Sequence, residues 1–143
     1  MNRTGTSQPA PRPLGGVVAP FADAVCFVAF VFLGRDQHAI NGGLSWFLTV
    51  LWPLLLGWFV VALATHLYTR ADRTWLRLAV TWIAGVLIGL VIRELFTSHG
   101  DSFGTFTVVV LVFIGLTTFG WRGLLLAWRR AARRRAAGVA EPA

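Results

Sequence analysis

With 143 residues, 56% of them hydrophobic and 13% charged, the chain is one domain with too much apolar surface for water; soluble domains carry about a quarter charged residues and expose few large apolar patches. Its thirteen basic residues, all Arg, exceed its six acids to give a net charge of +7. Most of that charge flanks apolar stretches, so membrane topology and anionic headgroups account for it, and nucleic acid is not expected as a partner.

Four apolar stretches are each long enough, or nearly so, to cross a hydrocarbon core that needs about 20 apolar residues. Met1–Gly16 precedes them, rich in Pro, Gly, Ser and Thr and without a small-x-small cleavage pattern after an apolar core. Residues 1–13 are expected to be a disordered tail and residues 14–122 a four-span transmembrane domain. The first stretch, Val17–Gly34, contains Asp23, and an amphipathic surface helix competes with a span there. Val25–Leu33 is apolar on every face and Arg35 and Asp36 supply a polar stop, which favours the span. The stretch also holds the sole cysteine, Cys26, which excludes an intramolecular disulfide and a cysteine-cluster metal centre.

The second stretch, Leu44–Thr65, is uncharged and has Pro53 near its middle. A proline there frees the carbonyl of Thr49, so a kink over Thr49–Pro53 is expected, with the Thr49 hydroxyl satisfying the freed group. The third, Trp75–Phe96, carries Gly85 and Gly89 at a spacing that lets helices approach closely. Arg77 and Arg93 bound its uncharged part, Leu78–Ile92, and are expected to snorkel outward. The fourth, Ser102–Trp121, ends at Arg122, and a basic, helical extension follows within residues 123–143. Eleven arginines fall on one side of this topology and only Arg35 and Arg93 on the other. The positive-inside rule places the eleven, and both termini, in the cytoplasm.

An offset of 58 aligns Arg35 with Arg93, Thr49-Val50 with Thr107-Val108 and Gly57 with Gly115, whereas Gly57-Trp58 meets Gly120-Trp121 only at 63. Two parallel repeated hairpins and a chance match of apolar sequences both fit.

Several residues suggest chemistry, each with a plainer alternative. Asp23 lies about two turns inside the first stretch, where a carboxylate is costly. Pairing with Arg122 would lower that cost, as a lock for the bundle or as a proton or cation site. Arg35 and Arg93, followed by Asp36 and Glu94, either snorkel or converge on an anion. Trp52-Pro53 and Gly57-Trp58, with Trp121, form an aromatic wall for an apolar ligand or ordinary packing. Arg129, Arg130, Arg133, Arg134 and Arg135 can bind anionic lipid or a soluble acidic partner. His38 and His99 fall in the outer connections, where two histidines either bind a metal, titrate near neutral pH or are simply solvated; no helical i, i+4 pairing links them and no His lies mid-membrane to hold a haem, so neither metal nor cofactor is expected. No Walker, HExxH, GxSxG or paired-carboxylate motif is present, and the chain is not expected to be an enzyme.

Asp23, Gly34-Arg35, Trp52-Pro53, Gly57-Trp58, Arg93 and Gly120-Trp121-Arg122 together resemble domain-of-unknown-function family 3054, over about Val17–Arg122. The resemblance implies a small, mainly actinobacterial, four-span protein of the bacterial inner membrane, with Asp23, Arg35, Trp52, Pro53, Arg93, Trp121 and Arg122 in one recurring pattern and no activity to carry over. The expectation is an all-α integral membrane four-helix bundle that self-associates and acts as a transporter or channel-like protein for an unknown small molecule. The alternative is a membrane scaffold or accessory subunit without a solute site.

Overall fold

The helices are α1 (Val18–Gln37), α2 (Gly43–Ala64), α3 (Thr74–Phe96) and α4 (Thr105–Val139). The computed structural model describes residues 17–37, 43–96 and 104–139; the expected tail over 1–13, His38 and His99 lie outside them. Each helix packs on its neighbour in sequence and α1 packs on α4, while the diagonal pairs stay apart. The result is an all-α four-helix bundle with a closed, square cross-section.

Three helices are long and apolar enough to cross a membrane, over Gly43–Ala64, Thr74–Phe96 and Thr105–Arg135. The apolar run of α1, Val18–Gly34, is shorter. At 1.5 Å per residue it covers about 26 Å, close to the ~30 Å of a hydrocarbon core. Helix α1 does not lie apart as a surface helix: Phe27 is fully buried and Phe30 and Val31 nearly so, all in the core shared with α2, α3 and α4. The apolar exterior, with Leu63, Leu116 and Leu95 more than two thirds exposed, suits lipid as the surrounding medium.

The α2–α3 seam is the closest. A Cβ built on Gly57 would lie 2.4 Å from the Gly89 nitrogen and 2.5 Å from the Gly85 carbonyl oxygen, and one on Gly89 would lie 2.9 Å from the Leu54 Cα. Helix backbones meet there directly, as small residues permit in membranes. The other seams are filled by rings. Trp82 lies over Gly115, donates its indole N–H to the Leu111 carbonyl at 2.9 Å and meets Phe119 edge-on, while Trp75 stacks on Phe119. Phe30 reaches from α1 to Phe106 and Phe113 of α4. Gly57 and Gly115, aligned by the 58-residue offset, thus have different surroundings: one faces backbone, the other an indole.

Helix α2 runs unbroken through Pro53. The expectation for Thr49 is corrected: its hydroxyl donates to the Ser45 carbonyl at 2.9 Å, not to its own. A helical side chain leans toward the N-terminus, so a threonine reaches the carbonyl one turn back while its own points the other way. The end of α2 is a Schellman turn, with the Leu67 amide on the Ala62 carbonyl at 2.9 Å, the His66 amide on Leu63 at 3.0 Å, and His66 at φ 54°. That turn tucks Leu67 and Tyr68 back under the bundle, leaving Leu67 only 3% exposed. Arg77 then ties the connection to α3, through Asp72 at 2.8 Å and the Thr65 carbonyl. The Arg77 hydrogen bond holds the Asp72 carboxyl below the usual carboxylate range.

The glycine seam makes a direct prediction. Gly57→Ala should cost about 1–3 kcal/mol, the usual penalty for overpacking, whereas Gly120→Ala, with nothing within 4 Å of its Cβ position, should be close to neutral. Thermal unfolding in one detergent, followed by tryptophan fluorescence, compares the two; equal Tm values would refute the seam.

Candidate functional site

The polar residues of the core gather at one end of the bundle. Asp23 faces inward from α1 and is 0% exposed; Arg122 faces it from α4 and is 1% exposed. The guanidinium grips the carboxylate with two parallel bonds, Nη1 to Oδ1 at 2.7 Å and Nη2 to Oδ2 at 2.8 Å. This fork-to-fork geometry is the strongest an Arg–carboxylate pair adopts. Trp121 donates its indole N–H to Oδ1 at 3.1 Å, and Tyr68 donates its hydroxyl to Oδ2 at 2.8 Å. Trp58, on α2, donates in turn to the Tyr68 oxygen at 2.9 Å. Arg122 also reaches the Thr118 carbonyl at 3.3 Å and lies over the Trp121 ring, 4.4 Å from its centroid.

An ionised carboxylate has about four lone-pair sites, and Asp23 uses all of them. It has no accepting position left for a cation unless a donor withdraws. The clasp joins α1, α4, α2 through Trp58, and the α2–α3 connection through Tyr68. Beside it, Thr65 and Thr81 share a hydrogen bond at 2.8 Å that ties the same end of α2 to α3.

Tyr68, Trp58 as a donor, Thr65 and Thr81 are not evident from the sequence as parts of this site. Tyr68 is the only tyrosine in the chain, and its place depends on the Schellman turn. The pattern of a polar His66 followed by apolar Leu67 at the end of an apolar helix is the one signal that marks that turn.

The remaining expected positions are scattered. Trp58 is buried in the core, edge-on to Phe27, whereas Trp52 is 41% exposed and meets Phe96 at the far end of the bundle. The two indoles therefore do not share a wall; six residues apart on a helix, they face different directions. Pro53 and Gly57 are buried against α3. Arg93, half-buried, lies over the Phe106 ring at 4.4 Å, and Glu94 is exposed beside it. The Arg35 side chain, and with it any convergence on Arg93, lies outside the described residues. Arg129 is half-buried, and Arg130, Arg133, Arg134 and Arg135 are exposed. Among the described residues no group of three His, Cys, Asp or Glu is placed to hold a metal.

Breaking the clasp from one side should be worse than removing it. Asp23→Leu leaves a buried arginine uncompensated and should cost about 3–5 kcal/mol, while the double change Asp23→Leu/Arg122→Met should recover most of that loss. Thermal unfolding of the wild type, Asp23→Leu, Arg122→Met and the double variant in one detergent gives the comparison, and strictly additive effects would refute the pairing. Tyr68 supplies a second readout. Burial, and then the Asp23 charge, push its phenol well above its ordinary value of 10.0. The stability this contributes is complete below that value and is lost as the pH rises beyond it, because only the unfolded chain ionises readily. In an alkaline titration, tyrosinate absorbance should rise with unfolding and not before it.

No curated protein and no solved structure matches the chain. The family described as "Protein of unknown function (DUF3054)" matches residues 20–125, a range that includes Asp23, Trp58, Tyr68, Trp121 and Arg122. With that match spanning most of its length, and with a bundle of membrane-length helices closed by these residues, the chain belongs to the DUF3054 family.

Proposed function

We propose that this protein is a small multi-pass membrane scaffold of the bacterial inner membrane, with its arginine-rich end in the cytoplasm, and that it catalyses no reaction of its own. The observation that supports this best is the saturated Asp23 carboxylate, which accepts from Arg122, Trp121 and Tyr68 on both oxygens. A carboxylate so occupied holds helices together; one that carries protons or cations must be able to release its donors.

What the clasp holds in place is α4. Residues 123–139 continue that helix for about 25 Å beyond Arg122, at 1.5 Å per residue. They include five arginines and no acid. On this reading the closed packing of α1 on α4 at the clasp, which apolar side chains of similar volume can also supply, fixes the angle at which α4 leaves the bundle, and the exposed Arg130, Arg134 and Arg135 meet an acidic partner at the cytoplasmic face. The transport or channel reading needs an oligomer, since four helices enclose little space, and it needs the clasp to open.

Complementation in a host lacking its own copy separates the two. A chain lacking residues 129–143 should behave like the complete deletion, whereas full-length Asp23→Leu/Arg122→Met, which keeps the bundle closed without the charges, should restore the wild-type phenotype. The opposite pattern, with the truncated chain active and the folded, charge-free chain inactive, would reject the scaffold and favour transport through the clasp.

A further inference from the structure

A groove of about 560 Å³ opens between the first turns of α1 and the part of α4 just after the clasp. Val18 and Ala22 line one side, Trp121, Leu125 and Trp128 the other, and Arg129 stands among them as the single charged group. On α4 the apolar lining residues recur at 121, 125 and 128, one helical stripe; Arg133 follows Arg129 by one turn on the same side. Leu124 also lines the groove, and the surface around it is apolar, with the neighbouring Phe21 72% exposed. Among the described residues, no carboxylate forms an ion pair with Arg129 or Arg133.

An apolar slot with a cationic end, at the level where the spans meet the arginine-rich surface, is complementary to an amphiphile with an anionic head. A soluble acidic partner would gain nothing from Val18, Ala22 and Leu125. A zwitterionic lipid would gain less from the two arginines, because its own headgroup cation offsets the phosphate charge. We propose that this groove holds one anionic phospholipid, its phosphate on Arg129 and Arg133 and an acyl chain along Val18, Ala22 and Trp128. The site rests on the membrane reading of the bundle, and only its assignment to the cytoplasmic leaflet rests on the orientation proposed above. It has a structural consequence: Trp121 lines the groove and also donates to Asp23, so the bound lipid packs against the clasp itself.

The test is native mass spectrometry of the full chain released from nanodiscs of phosphatidylcholine containing a minority of phosphatidylglycerol. The native protein and Arg130→Ala/Arg134→Ala should each retain one phosphatidylglycerol. Arg129→Ala/Arg133→Ala should retain roughly thirtyfold less, the loss of two basic residues at the surface attraction of each. Ala22→Trp, which fills the slot and keeps every charge, should also lose the lipid while its Tm shows that the bundle still folds. Equal loss in both arginine pairs would overturn the site in favour of diffuse attraction to the whole basic helix. Equal retention of phosphatidylcholine would remove the anionic requirement, and displacement of the lipid by excess inorganic phosphate would reduce the site to an ion site. Orientation is checked separately in Cys26→Ser/Ala140→Cys, using an impermeant maleimide on spheroplasts. Labelling without permeabilisation alongside retained phosphatidylglycerol would reverse the topology and leave the groove's ligand unchanged.

Discussion

Burying Asp23 and Arg122 together constrains everything at that end of the molecule. Neither charge is tolerable there alone, since a lone ionised group in an apolar interior costs several kcal/mol. Together they are tolerable only if the remaining lone pairs find donors. That requirement brings in Trp121 from the neighbouring position on α4 and Tyr68 from a connection that must fold back to arrive. Tyr68 is itself buried enough to need a partner for its oxygen, and Trp58, fully buried on α2, supplies an N–H that would otherwise be orphaned. One charge pair thus accounts for the placement of five side chains drawn from three helices and a turn.

The bundle is held differently elsewhere. At the α2–α3 seam, Gly57, Gly85 and Gly89 bring backbone onto backbone; in lipid, where the medium is as apolar as the side chains, such close packing is the main source of helix attraction. The seams that involve α1 and α4 rely instead on large rings: Phe27, Phe30, Trp82, Phe113 and Phe119. A tight pair, α2 and α3, therefore carries two helices packed through bulkier contacts, and the clasp ties α1 to α4 where no glycine seam does so. The α1–α4 groove with its arginine lies directly beside that tie. A scaffold that sets the angle of α4 and a lipid that packs against Trp121 would act on the same few atoms.

The four apolar stretches were legible because a span must be apolar for its whole length, a property that survives in one dimension. The same holds for the end of the first helix near Arg35, the small-residue spacing of Gly85 and Gly89, and the basic character of the chain after Arg122. The cost of Asp23 in a span was equally legible, and Arg122, at similar depth on an antiparallel neighbour, was its natural partner. Pro53 was visible too, although the role expected of Thr49 was not the one it plays, because side-chain direction in a helix belongs to three-dimensional geometry.

By itself, then, the sequence determined the number of helices, their membrane character and the existence of a costly charge that had to be met. Only the tertiary structure decided how it is met. Tyr68 reaches Asp23 because His66 adopts a left-handed conformation and reverses the chain under the bundle. Trp52 and Trp58, alike in the sequence, part company because the helix turns one toward the core and the other toward its surface. Gly57 and Gly115 align but face backbone and indole respectively. These outcomes depend on which face meets which neighbour. Hydrophobic periodicity is nearly silent on that question in a membrane helix, since the lipid-facing side is as apolar as the core.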